Sequence, residues 1–210
     1  MSVLVAGGTG ALGEAVVSDL RGAGYEVTIA DRAHEPPVDL LDTAAAAAAV
    51  EAIEDLEAVV NLVGGFAMGP KVEGVMLDDF ERMLRLNLVP AFNLARAAMP
   101  AMAARGSGAF VCVSARAALQ PFPGAAGYIT AKAAVLAFVK ALDAEYAGAG
   151  VRSNAVLPSV IDTPANRESM PDSDWSKWVP PEEIAKVIRF LISDESKPTS
   201  GAAVPVYGRA

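Results

Sequence analysis

Gly7-Gly8-Thr9-Gly10-Ala11-Leu12-Gly13 decides the fold of this 210-residue chain. Ser2-Val3-Leu4-Val5-Ala6 precedes it, a short apolar β-branched run that reads as a buried strand. Glu14 to Arg21 follows, with apolar residues at helical spacing. Strand, glycine turn and helix form the setting a dinucleotide pyrophosphate needs. The glycines let the backbone approach the phosphates, and the helix N-terminus offers free N–H groups and a positive dipole end. Gly7, Gly10 and Gly13 fit G-x-x-G-x-x-G, one residue off the G-x-G-x-x-G fingerprint.

Outward from that loop, Glu26 to Ala30 reads as a second strand ending at Asp31-Arg32. An acidic residue about twenty positions past the glycines can accept hydrogen bonds from an adenosine ribose diol. Arg32 could instead meet a 2′-phosphate, which keeps NADP(H) open beside the favoured NAD(H). Val38-Asp39-Leu40 reads as a short strand, and Asp42 or Thr43 as the cap of the alanine-rich helix behind it. Ala58 to Val63 is another buried strand, ending in Gly64-Gly65. Strands alternating with helices predict right-handed crossovers and a doubly wound parallel sheet of about seven strands, helices on both faces. The whole chain, 1–210, reads as one Rossmann-like α/β domain.

Asp78 to Ala104 has helical periodicity but carries Pro90, which cannot donate to the Leu86 carbonyl and predicts a kink beside Asn87. Ala109 to Val113 forms the next strand, and Ser114-Ala115-Arg116 leaves its C-terminal end, the edge where ligands bind in such sheets. The second long helix, Gly127 to Ala147, contains Tyr128-Ile-Thr-Ala-Lys132. Residues four apart share a helix face, so phenol and ammonium meet at one site. A nearby cation lowers a phenol's pKa and makes it a usable acid–base at neutral pH. Val151 to Leu157 is a strand stopped by Pro158. The polar segment 159–179 reads as a substrate lid without regular structure, although Trp175 and Trp178 are spaced for the apolar face of a short helix. Pro180-Pro181-Glu182-Glu183 starts the last helix, and Ala202 to Tyr207 gives the closing strand.

Composition narrows the function classes. A formal net charge of −8 without Lys/Arg clusters argues against nucleic acid and anionic membrane surfaces. No apolar run is long enough to span a bilayer, and the N-terminus has no basic leader region. Cys112 is the one cysteine and lies in an apolar run, which fits a buried hydrophobe in a reducing cytoplasm. His34 is the one histidine, so no His/Cys metal cluster can be assembled.

These residues resemble the short-chain dehydrogenase/reductase family over essentially the whole chain. The matches are the glycine loop Gly7 to Gly13, Asp31, and Asp39-Leu40 at the family's adenine contact. Asn61-Leu-Val-Gly64 stands at its strand end, Met83-Leu-Arg-Leu-Asn87-Leu on its asparagine helix, and Tyr128 and Lys132 at its Tyr-x-x-x-Lys pair. Leu157-Pro158-Ser159-Val160-Ile161-Asp162-Thr163 resembles the P-G-x-x-x-T segment over the nicotinamide, with serine in place of glycine. A narrower resemblance is to dihydropteridine reductases, carried by Val63-Gly-Gly-Phe66 and Asp162 to Pro171. Thirteen residues before the tyrosine the wider family has serine; here Ala115 stands there, as in that branch, with Ser114 one place early.

The resemblance implies NAD(P)(H)-dependent hydride transfer to or from a small carbonyl, alcohol or quinonoid substrate. Tyr128 is then the acid or base, Lys132 lowers its pKa and binds the nicotinamide ribose, and Asn87 holds a water relay to that lysine. The expected cofactor-binding residues are Gly7, Thr9, Gly10, Ala11, Leu12, Gly13, Asp31, Arg32, Asp39, Leu40, Asn61, Val63, Gly64, Ser114, Tyr128, Lys132, Pro158, Val160, Ile161 and Thr163. A homodimer or homotetramer through the two long helices is also implied. The alternatives are quinonoid dihydropteridine reduction and, from another class, a non-catalytic NAD(P)-sensing regulator.

Overall fold

The structure is a computed structural model describing residues 1–209. Six parallel strands form one sheet: β1 (Ser2–Ala6), β2 (Glu26–Ala30), β3 (Leu56–Asn61), β4 (Gly108–Val113), β5 (Val151–Pro158) and β6 (Ala203–Val206). Their order is β2-β1-β3-β4-β5-β6. The chain winds outward from β1 in both directions, so the switch point lies between β1 and β3, where open α/β sheets bind ligands.

Alternation along β1 explains the two layers. Leu4 and Ala6 face a core completed by α2 (Thr43–Glu51), α3 (Leu77–Arg105) and α4 (Ala126–Tyr146). Val3 and Val5 face the other core, with Val16, Val17 and Leu20 of α1 (Ala11–Gly22) and Ile184, Ile188 and Leu191 of α6 (Pro181–Ile192). Central strands buried on both faces need continuous apolar runs, as these are.

The sheet has six strands among the described residues, not about seven, because Val38-Asp39-Leu40 is not a strand. Its backbone turns instead: the Val38 N–H donates to the Asp31 carbonyl at 2.9 Å and the Asp42 N–H to the Asp39 carbonyl at 3.0 Å. The Asp39 carboxylate also accepts from its neighbour, the Leu41 N–H, at 3.0 Å. An aspartate that satisfies nearby backbone in this way competes with strand pairing. Asp42 is the cap of α2, accepting from the Ala44 and Ala45 N–H groups at 2.7 and 3.0 Å. Helix α3 runs through both Pro90 and Pro100 without ending.

The connection 159–179 carries regular structure where none was expected. Ile161 bridges Val179, α5 (Pro164–Ser169) is capped by the Thr163 hydroxyl, and a single 3₁₀ turn spans Trp175–Lys177. Arg167 makes two hydrogen bonds to the Asp162 carboxylate, at 2.6 and 2.7 Å, and lies 4.8 Å above the Trp175 ring. Trp178 is buried with Val179, so the end of the segment packs into the fold.

Candidate active site

The C-terminal ends of the strands gather the predicted residues along one edge, in two halves. Between β1, β2 and α3 lies a cavity of about 350 Å³ lined by Gly7, Thr9, Gly10, Asp31, Arg32, Asp39, Leu40, Val63 and Gly64. The glycine pattern has a steric cause. Gly7 has φ +80°, and a Cβ on Gly13 would lie 2.2 Å from the Gly7 carbonyl oxygen. Turn and helix therefore pack backbone to backbone. Gly10 caps α1 without a side-chain acceptor, so the first-turn N–H groups, including those of Ala11 and Leu12, are left for another partner.

Two carboxylates organise the far wall. Asp31 accepts from the Thr9 N–H at 3.3 Å and the Ala33 N–H at 3.1 Å. Burial alone would push its pKa up, but hydrogen bonding by the Thr9 side chain and by the Ala33, Thr9 and Arg32 N–H groups outweighs that and holds it below the usual carboxylate range. Arg32 is paired with Asp39: its Nε and Nη2 both donate to Asp39 Oδ1, at 3.1 and 2.6 Å. That bond holds the Asp39 carboxyl below its ordinary value as well.

The second half lies at the ends of β3 and β4 and on α4. Tyr128 and Lys132 stand one turn apart, with Lys132 Nζ 5.9 Å from the Tyr128 ring centre. Lys132 Nζ donates to the Val113 carbonyl at 3.0 Å. Asn87 clasps the loop after β3: Nδ2 donates to the Gly65 and Met83 carbonyls at 3.1 and 2.9 Å, and Oδ1 accepts from the Gly65 N–H at 3.1 Å. Gly64 marks where these groups converge. A Cβ there would lie 2.5 Å from Asn87 Oδ1 and 2.9 Å from Lys132 Nζ. Asn61, the last residue of β3, is buried, and its Oδ1 accepts from the Val63 N–H at 3.2 Å.

Electrostatics depart from the expected lowering of the tyrosine pKa. Burial pushes the Tyr128 phenol up to about 12 and the Lys132 ammonium down to about 8. The cation's hydrogen bond goes to Val113 rather than to the phenol, and a Phe66 ring covers Tyr128 edge-on at a centroid distance of 5.0 Å. Desolvation outweighs attraction. At neutral pH Tyr128 is therefore a phenol beside a charged Lys132.

Full-length comparisons fit this geometry. A family model described as enoyl-(acyl carrier protein) reductase matches residues 7–208. A 4-formylbenzenesulfonate dehydrogenase of Comamonas testosteroni is 30% identical over 98% of this chain and 95% of its own. The chain belongs to the short-chain dehydrogenase/reductase family. A dihydropteridine reductase of Dictyostelium discoideum is 31% identical, covering 97% of this chain and 93% of its own. A solved short chain dehydrogenase/reductase family protein superposes with a TM-score of 0.91 at 27% identity, over 99% and 96% of the two chains. Such enzymes are NAD(P)-dependent oxidoreductases, and this chain is one of them. No helix among the described residues is long and apolar enough to cross a membrane.

As a short-chain dehydrogenase/reductase it is unusual around Ser114. The Ser114 hydroxyl is buried and donates to the Lys132 carbonyl at 2.7 Å. Neighbouring extended residues point to opposite sides, so Ala115, buried and extended, presents a methyl to the side that Ser114 does not face. Ser114, Pro158, Val160, Ile161 and Thr163 share the same sheet edge but do not line the cavity between β1, β2 and α3. Sequence reasoning missed Leu86 and Pro90 as cavity wall and Phe66 as the partner of Tyr128. Pro90 carried a signal, since it was read as marking the bend beside Asn87. The Phe66–Tyr128 contact carried none, because it joins the loop after β3 to a helix remote in sequence.

Proposed function

We propose that this oxidoreductase moves hydride between NAD(H) and a small carbonyl, alcohol or quinonoid substrate, with Tyr128 as its proton donor or acceptor. The observation that carries the reading is the convergence of Lys132 and Asn87 on Gly64, with the Tyr128 ring one turn away on α4, 5.9 Å from Lys132 Nζ. The residues fit a nicotinamide dinucleotide. The Gly7–Gly13 backbone contact leaves room for a pyrophosphate over α1, and Asp31 offers a carboxylate where a ribose diol would lie. When bound, the nicotinamide supplies the hydride; the chain supplies position and a proton.

Tyr128 Oη holds the proton. Burial keeps it protonated, the form that can donate to a developing alkoxide. Lys132, charged at neutral pH, stabilises the phenolate left behind and is placed for a nicotinamide ribose. Asn87 is a positioning residue that fixes Gly64 and Gly65; a water relay to Lys132 belongs to the same reading. Lid closure by 159–179 would bring Pro158, Val160, Ile161 and Thr163 over the nicotinamide.

The substrate wall favours a flat apolar acceptor. Phe66 is 60% exposed while holding its edge-to-face contact with Tyr128, so it offers a ring to a ligand lying against the tyrosine. Ala115 supplies no second donor for a carbonyl oxygen, and an electron-poor quinonoid ring needs less polarisation than a ketone. Quinonoid dihydropterin reduction, the second reading, rests on these two features and on the Dictyostelium relative. Assembly as a homodimer or homotetramer through α3 and α4, with exposed Phe92 beside Phe138, and residence in a reducing cytoplasm complete the proposal.

The test is an initial-rate panel with NADH and NADPH against a simple ketone, a quinone and a quinonoid dihydropterin. The reading expects NADH to be preferred and the quinonoid acceptors to exceed the ketone. Ketone reduction faster than both quinonoid acceptors would contradict the substrate assignment.

A further inference from the structure

We propose that Asp39 sets cofactor choice indirectly, by holding Arg32 away from the position of a 2′-phosphate. The inference rests on the reading of this cavity as the adenosine end of a nicotinamide-nucleotide site.

Arg32 stands where a phosphate receptor would. It follows Asp31, whose carboxylate reaches the glycine loop through the Thr9 N–H, and both residues line the same cavity as Gly7 and Gly10. A guanidinium there presents a fork suited to a phosphate. One edge of that fork is spent, because Nε and Nη2 both rest on Asp39 Oδ1, at 3.1 and 2.6 Å. The acceptor is itself held in place. Asp39 Oδ1 also takes the Leu41 N–H at 3.0 Å, and the Asp39 carbonyl takes the Asp42 N–H at 3.0 Å, just where Asp42 begins to cap α2. The intervening loop is closed by the Val38 N–H on the Asp31 carbonyl at 2.9 Å.

A 2′-phosphate would have to break this pair and lie beside two carboxylates. A ribose diol needs neither. Both partners are about half exposed, with side-chain exposures of 59% and 50%, so the lock is weak and adjustable. Exposed pairs are worth up to about 1 kcal/mol, which corresponds to about fivefold in affinity.

The experiment is titration of NADH and NADPH by nucleotide fluorescence at low salt, on the full chain. It compares the wild type with Asp39→Asn, Arg32→Ala and the double variant, each checked for an unchanged thermal melt. Asp39→Asn keeps an acceptor oxygen for the Leu41 N–H. It should raise NADPH affinity relative to NADH about fivefold, and by less than about twofold when Arg32 is already alanine. Arg32→Ala alone should change NADPH affinity little, since the guanidinium is already engaged.

An equal shift in both backgrounds would mean Asp39 acts by its own charge or through Arg85, whose field also reaches it, and would overturn the lock. A loss of tenfold or more in NADPH affinity on Arg32→Ala would overturn it too, even if Asp39→Asn proved unstable. Binding of neither nucleotide by any form would sink the functional reading itself, and the lock with it.

Discussion

Around Gly7 to Gly13 the site is made of backbone, a tight turn with a +80° φ and a helix start that touches it. Around Tyr128 it is made of side chains, a phenol and an ammonium from α4 and a buried carboxamide from α3. The difference governs what each half tolerates. The first is set by sterics, where a single methyl is decisive. The second is set by desolvation and hydrogen bonding, where each polar group leans on a partner and substitutions act through that partner.

Gly64 lies on the boundary, and Gly64→Ala should have the largest effect. Its Cβ would collide with Asn87 Oδ1 and crowd Lys132 Nζ, displacing the groups of the second half. Displacement by about 1 Å can cost about 10²-fold in turnover; steady-state kinetics check this, with nucleotide affinity falling much less. If turnover survived, the second half would be as forgiving as a surface.

Gly13→Ala tests the backbone half. Overpacking against the Gly7 carbonyl should cost about 1–3 kcal/mol in urea unfolding. Nucleotide affinity should fall as well, since the loop must open to admit the methyl.

The titration of Lys132 separates the halves again. Its folded pKa, about 8, lies below the value of 10.5 expected of an unfolded chain. Between those values the unfolded state binds more protons, so stability rises with pH through the window. Above pH 9 the trend is opposed by Cys112, which burial pushes up to about 12. The clearest interval is therefore pH 8 to 9, with a rise of up to about 1.4 kcal/mol per unit. Urea unfolding of the nucleotide-free protein should show it, and Lys132→Met should flatten it.

Ser114→Ala should have the smallest effect on catalysis. It removes a second donor from the Lys132 carbonyl, which keeps its helical partner within α4, a loss of about 0.5–1.5 kcal/mol in stability, with turnover changed less than tenfold. Ala115→Ser should instead raise kcat/KM for a simple ketone by supplying the missing donor. A collapse of activity in Ser114→Ala with the fold intact would make Ser114 the catalytic hydroxyl.

Legibility in the sequence followed the same division. The glycine loop, the strand ends and the four-residue spacing of Tyr128 and Lys132 are local patterns, and local patterns fixed the topology. Val38–Leu40 was misread as a strand because its β-branched and apolar ends hide an aspartate that bonds its own turn. Partnerships between distant segments left no trace: Phe66 with Tyr128, Asn87 with Gly65, Ser114 with the Lys132 carbonyl. The tyrosine's pKa was read in the wrong direction for a related reason. Spacing reports the neighbouring charge, but burial, which outweighs it here, comes from residues elsewhere in the chain.

The most direct test of the central claim is single-turnover oxidation of bound NADH by a quinonoid acceptor, compared between the wild type and Tyr128→Phe. The phenylalanine variant should bind NADH normally yet transfer about 10²–10⁴ times more slowly, the usual contribution of a positioned acid. Equal transfer rates in the two proteins, at equal NADH occupancy, would contradict the assignment of Tyr128 as the group that moves the proton.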